Sequence, residues 1–216
     1  MKSLLKVMLT LGSLFALTFV AGNLLGILTI ENVERWLEWA QDVDPILVFG
    51  LIVLLLFVDL FVAVPTLTIT ILAGFLIGFP GGAFAAFLGM SLAAGSGYVL
   101  SRIWGERGIA ALVKDPSERA KLTAMFQEFG PAMILLSRAA PILPEVTACM
   151  AGATRMPVAR FVVFFVASAV PYTLLASFAG SISSFENPEP AIAAGITLNL
   201  VLWSAWFLFR RSMSLS

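Results

Sequence analysis

The chain has no histidine, a single cysteine and few charges. Without an imidazole, the Ser–His and Cys–His pairs of nucleophilic catalysis and most zinc sites are excluded. Cys149 on its own excludes an internal disulfide and reads as a small packed residue. Charged residues make up 12% of the 216, against about a quarter in an ordinary soluble domain. Bases and acids number 13 each, so net charge is silent on partners and the placement of charge matters more. No phosphate-binding glycine loop, metal-ligand cluster or nucleic-acid patch occurs, and neither a cofactor nor a nucleic-acid partner is expected.

What is abundant is apolar. Hydrophobic residues reach 60% and mean hydropathy is +0.99. Apolar runs at residues 4–30, 81–100, 158–180 and 191–209 compare with the about 20 residues a transmembrane helix needs. An all-α integral membrane protein with about four transmembrane helices is expected. The first run follows Lys2 and Lys6, is too long for a signal-peptide core and lacks a convincing small-x-small cleavage site. It reads as a retained anchor.

Cytoplasmic loops are enriched in Lys and Arg. Lys2 and Lys6 place the N-terminus inside, and the first span then delivers "ENVERWLEWAQDVD", with Arg35 its single base, outside. There Val33, Trp36, Leu37 and Ala40 recur at helical spacing, which suits an interfacial amphipathic helix. Arg102, Arg107, Lys114, Arg119 and Lys121 belong inside, as do Arg155, Arg160, Arg210 and Arg211. Glu186 and Glu189 read as outside. Eleven of the 13 bases fall in the cytoplasm on this reading. "DPSERAKLTAMFQEFG" is expected to be a capped cytosolic helix lying on the bilayer.

The stretch "SRAAPILPE", residues 137–145, puts an arginine, a glutamate and two prolines inside the apolar run 130–153. A cation at the bilayer centre costs roughly 2.5–3.5 kcal/mol on insertion scales. Lys121 and Arg155 both read as inside, so an even number of crossings separates them. The 24 residues of the run are too few for two spans, which need about 40. A re-entrant hairpin is expected, with arms 131–140 and 144–153, each ~15 Å of helix. Pro141 and Pro144 form its tip at the middle of a ~30 Å core, where broken backbone needs cover from protein or a water-filled cavity.

Residues 45–80 repeat this grammar. Asp59 stands six residues before Pro65, as Arg138 stands six before Pro144. Ala73–Gly74 and Ala151–Gly152 follow, then Pro80 or Pro157, then a full span. Two like units entering from opposite faces would form an inverted repeat, the arrangement in which broken helices meet at a midplane site. The arm before Pro65 is about twice as long as its counterpart, so a pair of complete spans over 45–80 stays open. The domain plan is therefore an anchor at 1–30 and an external interfacial helix at 31–44. An inverted-repeat core at 45–180 follows, with a cytoplasmic amphipathic loop at 102–130. An external loop, a last span and a cytoplasmic tail occupy 181–216.

The candidate pathway residues are Asp59, Arg138 and Glu145, with Pro65, Pro141 and Pro144 as hairpin tips. Superposing the units brings Asp59 and Arg138 to equivalent midplane positions, an ion pair between the repeats. An unpaired charge there is costly and a hydrogen-bonded pair is tolerable. Glu145 is then a surplus carboxyl able to change protonation, which a proton-coupled transporter needs. The alternative is that these charges only hold the hairpins in register. "AGSG", residues 94–97, resembles the serine loop of intramembrane proteases, but the missing base makes close helix packing the better reading.

On "SRAAPILP", "AGATRM", "DLFVAVP" and "GSGYVLSRIWGERG", the chain resembles the VTT-domain superfamily. That superfamily is also called the SNARE-associated Golgi proteins and includes the bacterial DedA proteins. The resemblance covers residues 59–180 and implies movement of lipids between leaflets. DedA proteins are linked to recycling undecaprenyl phosphate or other anionic lipid carriers, with the proton motive force implicated, and eukaryotic relatives are described as scramblases. By matching position it assigns roles to Asp59, Arg138 and Pro141. Two positions depart from the DedA pattern: Thr66–Leu67 replace a Gly-Asp, and Pro144–Glu145 stand where a second arginine is found. The chain thus sits nearer the non-DedA branch.

The expected function is a transporter or scramblase for a lipid or anionic lipid carrier, proton-coupled through Asp59 or Glu145 and not an enzyme. Membrane lipids and protons are its expected partners, with room for a homo-oligomer. The expected site is the bacterial inner membrane with both termini cytoplasmic. Three alternatives stay open: a small-solute or ion transporter, a membrane-embedded lipid-modifying enzyme, and an assembly factor without transport. Cysteines placed along 131–153, after replacing Cys149, should label at both ends from the cytoplasmic face. Labelling of the two ends from opposite faces would rule out the hairpin.

Overall fold

Proline and glycine punctuate an otherwise uninterrupted supply of helix-forming apolar residues. In the computed structural model, the described residues are 43–60, 65–112, 116–139, 143–184 and 186–213. They form seven α-helices: α1 Pro45–Val58, α2 Thr66–Ile77, α3 Gly81–Leu112, α4 Pro116–Leu136, α5 Leu143–Ala153, α6 Val158–Ser181 and α7 Glu189–Met213. A 3₁₀ turn, Ser137–Ala139, follows α4. Pro45, Pro116, Pro144 and Pro190 sit in first turns, where a missing N–H costs nothing. Pro65 and Pro157 precede α2 and α6 as N-caps. Gly78, at φ 73°, ends α2 in a conformation that disfavours any side chain. The expected anchor at 1–30 and the interfacial helix at 31–44 lie outside the described residues, except for Val43 and Asp44.

Three described helices are long and apolar enough to cross a membrane: Gly81–Gly105, Val158–Ser181 and Glu189–Leu208. The fourth expected span, 4–30, lies outside the described residues. With 14, 12 and 11 residues, α1, α2 and α5 run about 21, 18 and 16 Å, short of a ~30 Å core. Leu47, Leu51 and Leu54 on α1, Val162, Val163 and Leu175 on α6, and Ile196, Leu200 and Phe207 on α7 are exposed. Helices apolar around their circumference belong in hydrocarbon.

Two expected boundaries are corrected. The stretch 102–130 is not one loop: α3 continues through Arg102 to Leu112, and α4 starts at Pro116. The arm expected at 131–140 is no separate helix either, because α4 runs through Pro131 to Leu136. Phe126 and Ile134, on either side of that proline, are buried in one cluster with Tyr98, Ala148, Ala151, Met156 and Phe161. Their packing outweighs the backbone bond that Pro131 cannot make.

Packing is crosswise. The short helix α5 lies on the long helix α3, and the short helix α2 lies on the long helix α6. Both crossings are backbone against backbone. A Cβ on Gly74 would land on the Ser177 carbonyl, and one on Gly180 on the Ile71 carbonyl. A Cβ on Gly152 would land on the Tyr98 carbonyl. Small residues allow this approach, which substitutes for a hydrophobic driving force within lipid.

Gly74→Ala and Gly152→Ala are each expected to destabilise the fold by about 1–3 kcal/mol through overpacking. Gly195→Ala, whose Cβ would meet nothing within 4 Å, should be neutral or slightly stabilising. Thermal unfolding in detergent checks the contrast, and equal midpoints for all three variants would contradict these crossings.

Candidate functional site

Two breaks interrupt the helices, one between α1 and α2 and one between α4 and α5. Asp59 stands in the turn that follows α1, its N–H bonded to the Leu55 carbonyl at 3.2 Å. Arg138 is in the 3₁₀ turn after α4. Glu145 is in the first turn of α5, where the helix dipole favours an acid. The fold brings all three to the wall of one cavity, completed by Leu56, Met90, Ala93, Ala94 and Pro144. About 10 Å³ is open to the centre of a water-sized sphere, room for about one water.

The expected partners Asp59 and Arg138 therefore share this cavity, and Glu145 joins them. The Asp59 and Glu145 carboxyls lie within hydrogen-bonding reach of each other. Ionised carboxylates only accept, so a bond between them requires one proton. With that proton the trio of two acids and one guanidinium is neutral, the condition that burial in an apolar medium favours.

The guanidinium is held by groups that sequence reasoning did not single out. Its central carbon lies 5.9 Å from the Phe165 ring centroid and 5.3 Å from that of Tyr172. Cation–π attraction is worth ~2 kcal/mol or more when desolvated. Phe161, Phe165 and Tyr172 recur on one face of α6, a helical stripe visible in the sequence but indistinguishable there from ordinary core. The Thr66 side chain, just after the first break, lies beside the Tyr172 hydroxyl. Tyr172 thus touches the surroundings of both breaks. Among the described residues, Arg138 Nε is buried with no hydrogen-bond partner, so the guanidinium keeps a donor unused.

Of the expected tip prolines, Pro65 caps α2 and Pro144 sits inside the first turn of α5. The second break therefore begins in the turn Ser137–Ala139, ahead of Pro144, because a first-turn proline fits a helix. Pro141 lies outside the described residues. Among the described residues no group of three or more His, Cys, Asp or Glu is arranged to hold a metal ion.

Arg138→Ala leaves two facing carboxyls without their cation and is expected to cost about 3 kcal/mol or more. Adding Glu145→Ala should restore part of that loss. A double-mutant cycle on thermal stability measures it, and strict additivity would show that the two side chains do not interact.

No curated protein and no solved structure matches the chain. A family profile, the VTT domain, matches residues 64–182. That stretch is more than half of the 216 residues. It opens at the first break and closes at the end of α6, taking in both glycine crossings, Arg138 and Glu145 while leaving Asp59 just outside. A profile match over that much of the chain makes it a member of the VTT-domain family.

Proposed function

We propose that this integral membrane protein moves an anionic lipid or lipid carrier between bilayer leaflets without altering it chemically. The observation that carries the reading is the Arg138 guanidinium, its Nε unused, beside two carboxyls in a cavity between two helix breaks. A buried cation with a spare donor suits the phosphate of a headgroup, for which arginine is matched by its planar fork. Intramembrane ionisable residues are functional by default.

The breaks are the tips of two re-entrant hairpins, α1–α2 and α4–α5, which with α3 and α6 form an inverted repeat. The paired positions Gly74 and Gly152, each seated on a carbonyl of the opposite long helix, support that reading. So do α1, α2 and α5, each too short to span alone. The basic end of the bundle, with Arg102, Arg155 and Arg160, faces the cytoplasm by the positive-inside rule. The membrane is the bacterial inner membrane, with both termini cytoplasmic. The proton shared by Asp59 and Glu145 couples movement to the proton gradient.

A cavity with room for about one water also favours a second reading, transport of a small ion or solute. Vesicles containing the purified protein and a fluorescent anionic phospholipid separate the two. Lipid transport predicts leaflet exchange that falls to the protein-free background in Arg138→Gln, normalised to folded protein. Wild-type exchange by that variant would end the proposal. Glu145→Gln should still exchange lipid, at a rate that no longer follows the imposed proton gradient.

A further inference from the structure

The motif "GSGYVLSRIWGERG" contains a tyrosine and an arginine one helical turn apart, Tyr98 and Arg102, outside the cavity. Tyr98 is buried on α3, its ring stacked on Phe161 of α6 at 4.8 Å between centroids. Its hydroxyl donates to the Met156 carbonyl at 2.5 Å. One Nη of Arg102 donates to the Tyr98 hydroxyl at 2.5 Å and to the same carbonyl at 3.1 Å. The guanidinium lies over the tyrosine ring, 5.7 Å from its centroid. Met156 is in the exit turn of the second hairpin, next to Arg155, whose φ is 57°. That turn is thereby tied to α3 by charge-assisted bonds, the strong kind.

The exit turn of the first hairpin is fastened differently. Phe79, between Gly78 and Pro80, meets Phe178 of α6 edge to face at 5.7 Å. Both rings are about half exposed, at 42% and 50%. Tyr98 lies 17 residues into α3 and Phe178 lies 20 into α6, so each fastening is about 25–30 Å along a long helix from its start. The two closures therefore stand at opposite ends of the bundle. One is a buried polar knot, the other an aromatic contact beside the Gly74 and Gly180 crossings.

We infer that Tyr98 and Arg102 are positioning residues that hold the second hairpin, and with it Arg138 and Glu145, closed at the basic end. The Phe79–Phe178 contact belongs to the closure at the other end. This rests on the reading of the cavity as part of a transport path, but its test does not use transport.

Cys149 is the reporter. It is half-buried on α5, one turn beyond Glu145, and packs beside Gly97 of α3. In right-side-out and inside-out vesicles, its labelling by a membrane-impermeant maleimide reads access from each face. Tyr98→Phe keeps the stacked ring and removes the hydroxyl. Arg102→Gln changes a side chain that is otherwise exposed, so the core stays intact. Each should raise labelling from the basic end at least about tenfold, the effect of losing a hydrogen bond to a charged group. Labelling from the other end should be unchanged, whereas Phe178→Ala should raise labelling from that other end alone. Wild-type rates in both the Tyr98 and Arg102 variants, or an equal rise from both faces, would overturn the inference. If labelling shifts as expected while Arg138→Gln still exchanges lipid, the closure stands and the transport reading falls.

Discussion

Inside hydrocarbon there is no water to satisfy a broken backbone or a charge, so every interruption of a helix must be covered by other parts of the chain. That constraint organises this fold. Two interruptions bring Asp59, Arg138 and Glu145 into an apolar bundle, and the long helices α3 and α6 supply the cover. Cover at backbone distance is achieved only because Gly74, Gly152 and Gly180 have no Cβ to hold the helices apart.

The charged trio obeys the same constraint. One guanidinium shares its cavity with two carboxyls, and the faces of Phe165 and Tyr172 take the place of water around the cation. Buried hydroxyls solve their own problem locally. Thr70, Ser137, Thr147 and Thr173 each bond a carbonyl three or four residues back in their own segment. Arg138 Nε is left without a partner, as are the Ser168 and Ser177 hydroxyls, but it alone of the three belongs to a charged group. An unsatisfied buried donor is costly unless something else supplies its acceptor. An anionic headgroup passing the site would do so.

The two glycine crossings are alike, but the chemistry at the turns that follow them is not. The short helix α2 lies on α6 and α5 on α3, with Tyr98 and Arg102 bonded to one exit turn and a pair of phenylalanine rings in contact at the other. A membrane with unlike faces and a gradient across it gives such a difference a direction.

Much of this was legible in the residues. Composition and run length determine an apolar helical protein, because only about 20 successive apolar residues cross a bilayer unaided. The matching spacing of Asp59 to Pro65 and Arg138 to Pro144 marked both breaks and the charges near them. Other features depended on contacts remote in sequence. Phe165 and Tyr172 became partners of Arg138 only when α6 folded over the second break, and Tyr98 met a carbonyl 58 residues away. The continuity of α4 through Pro131 was likewise decided by the shared burial of Phe126 and Ile134, against the local preference of proline. Periodicity and punctuation act between neighbours and survive in the sequence. Which faces meet is set by packing, which no local pattern encodes.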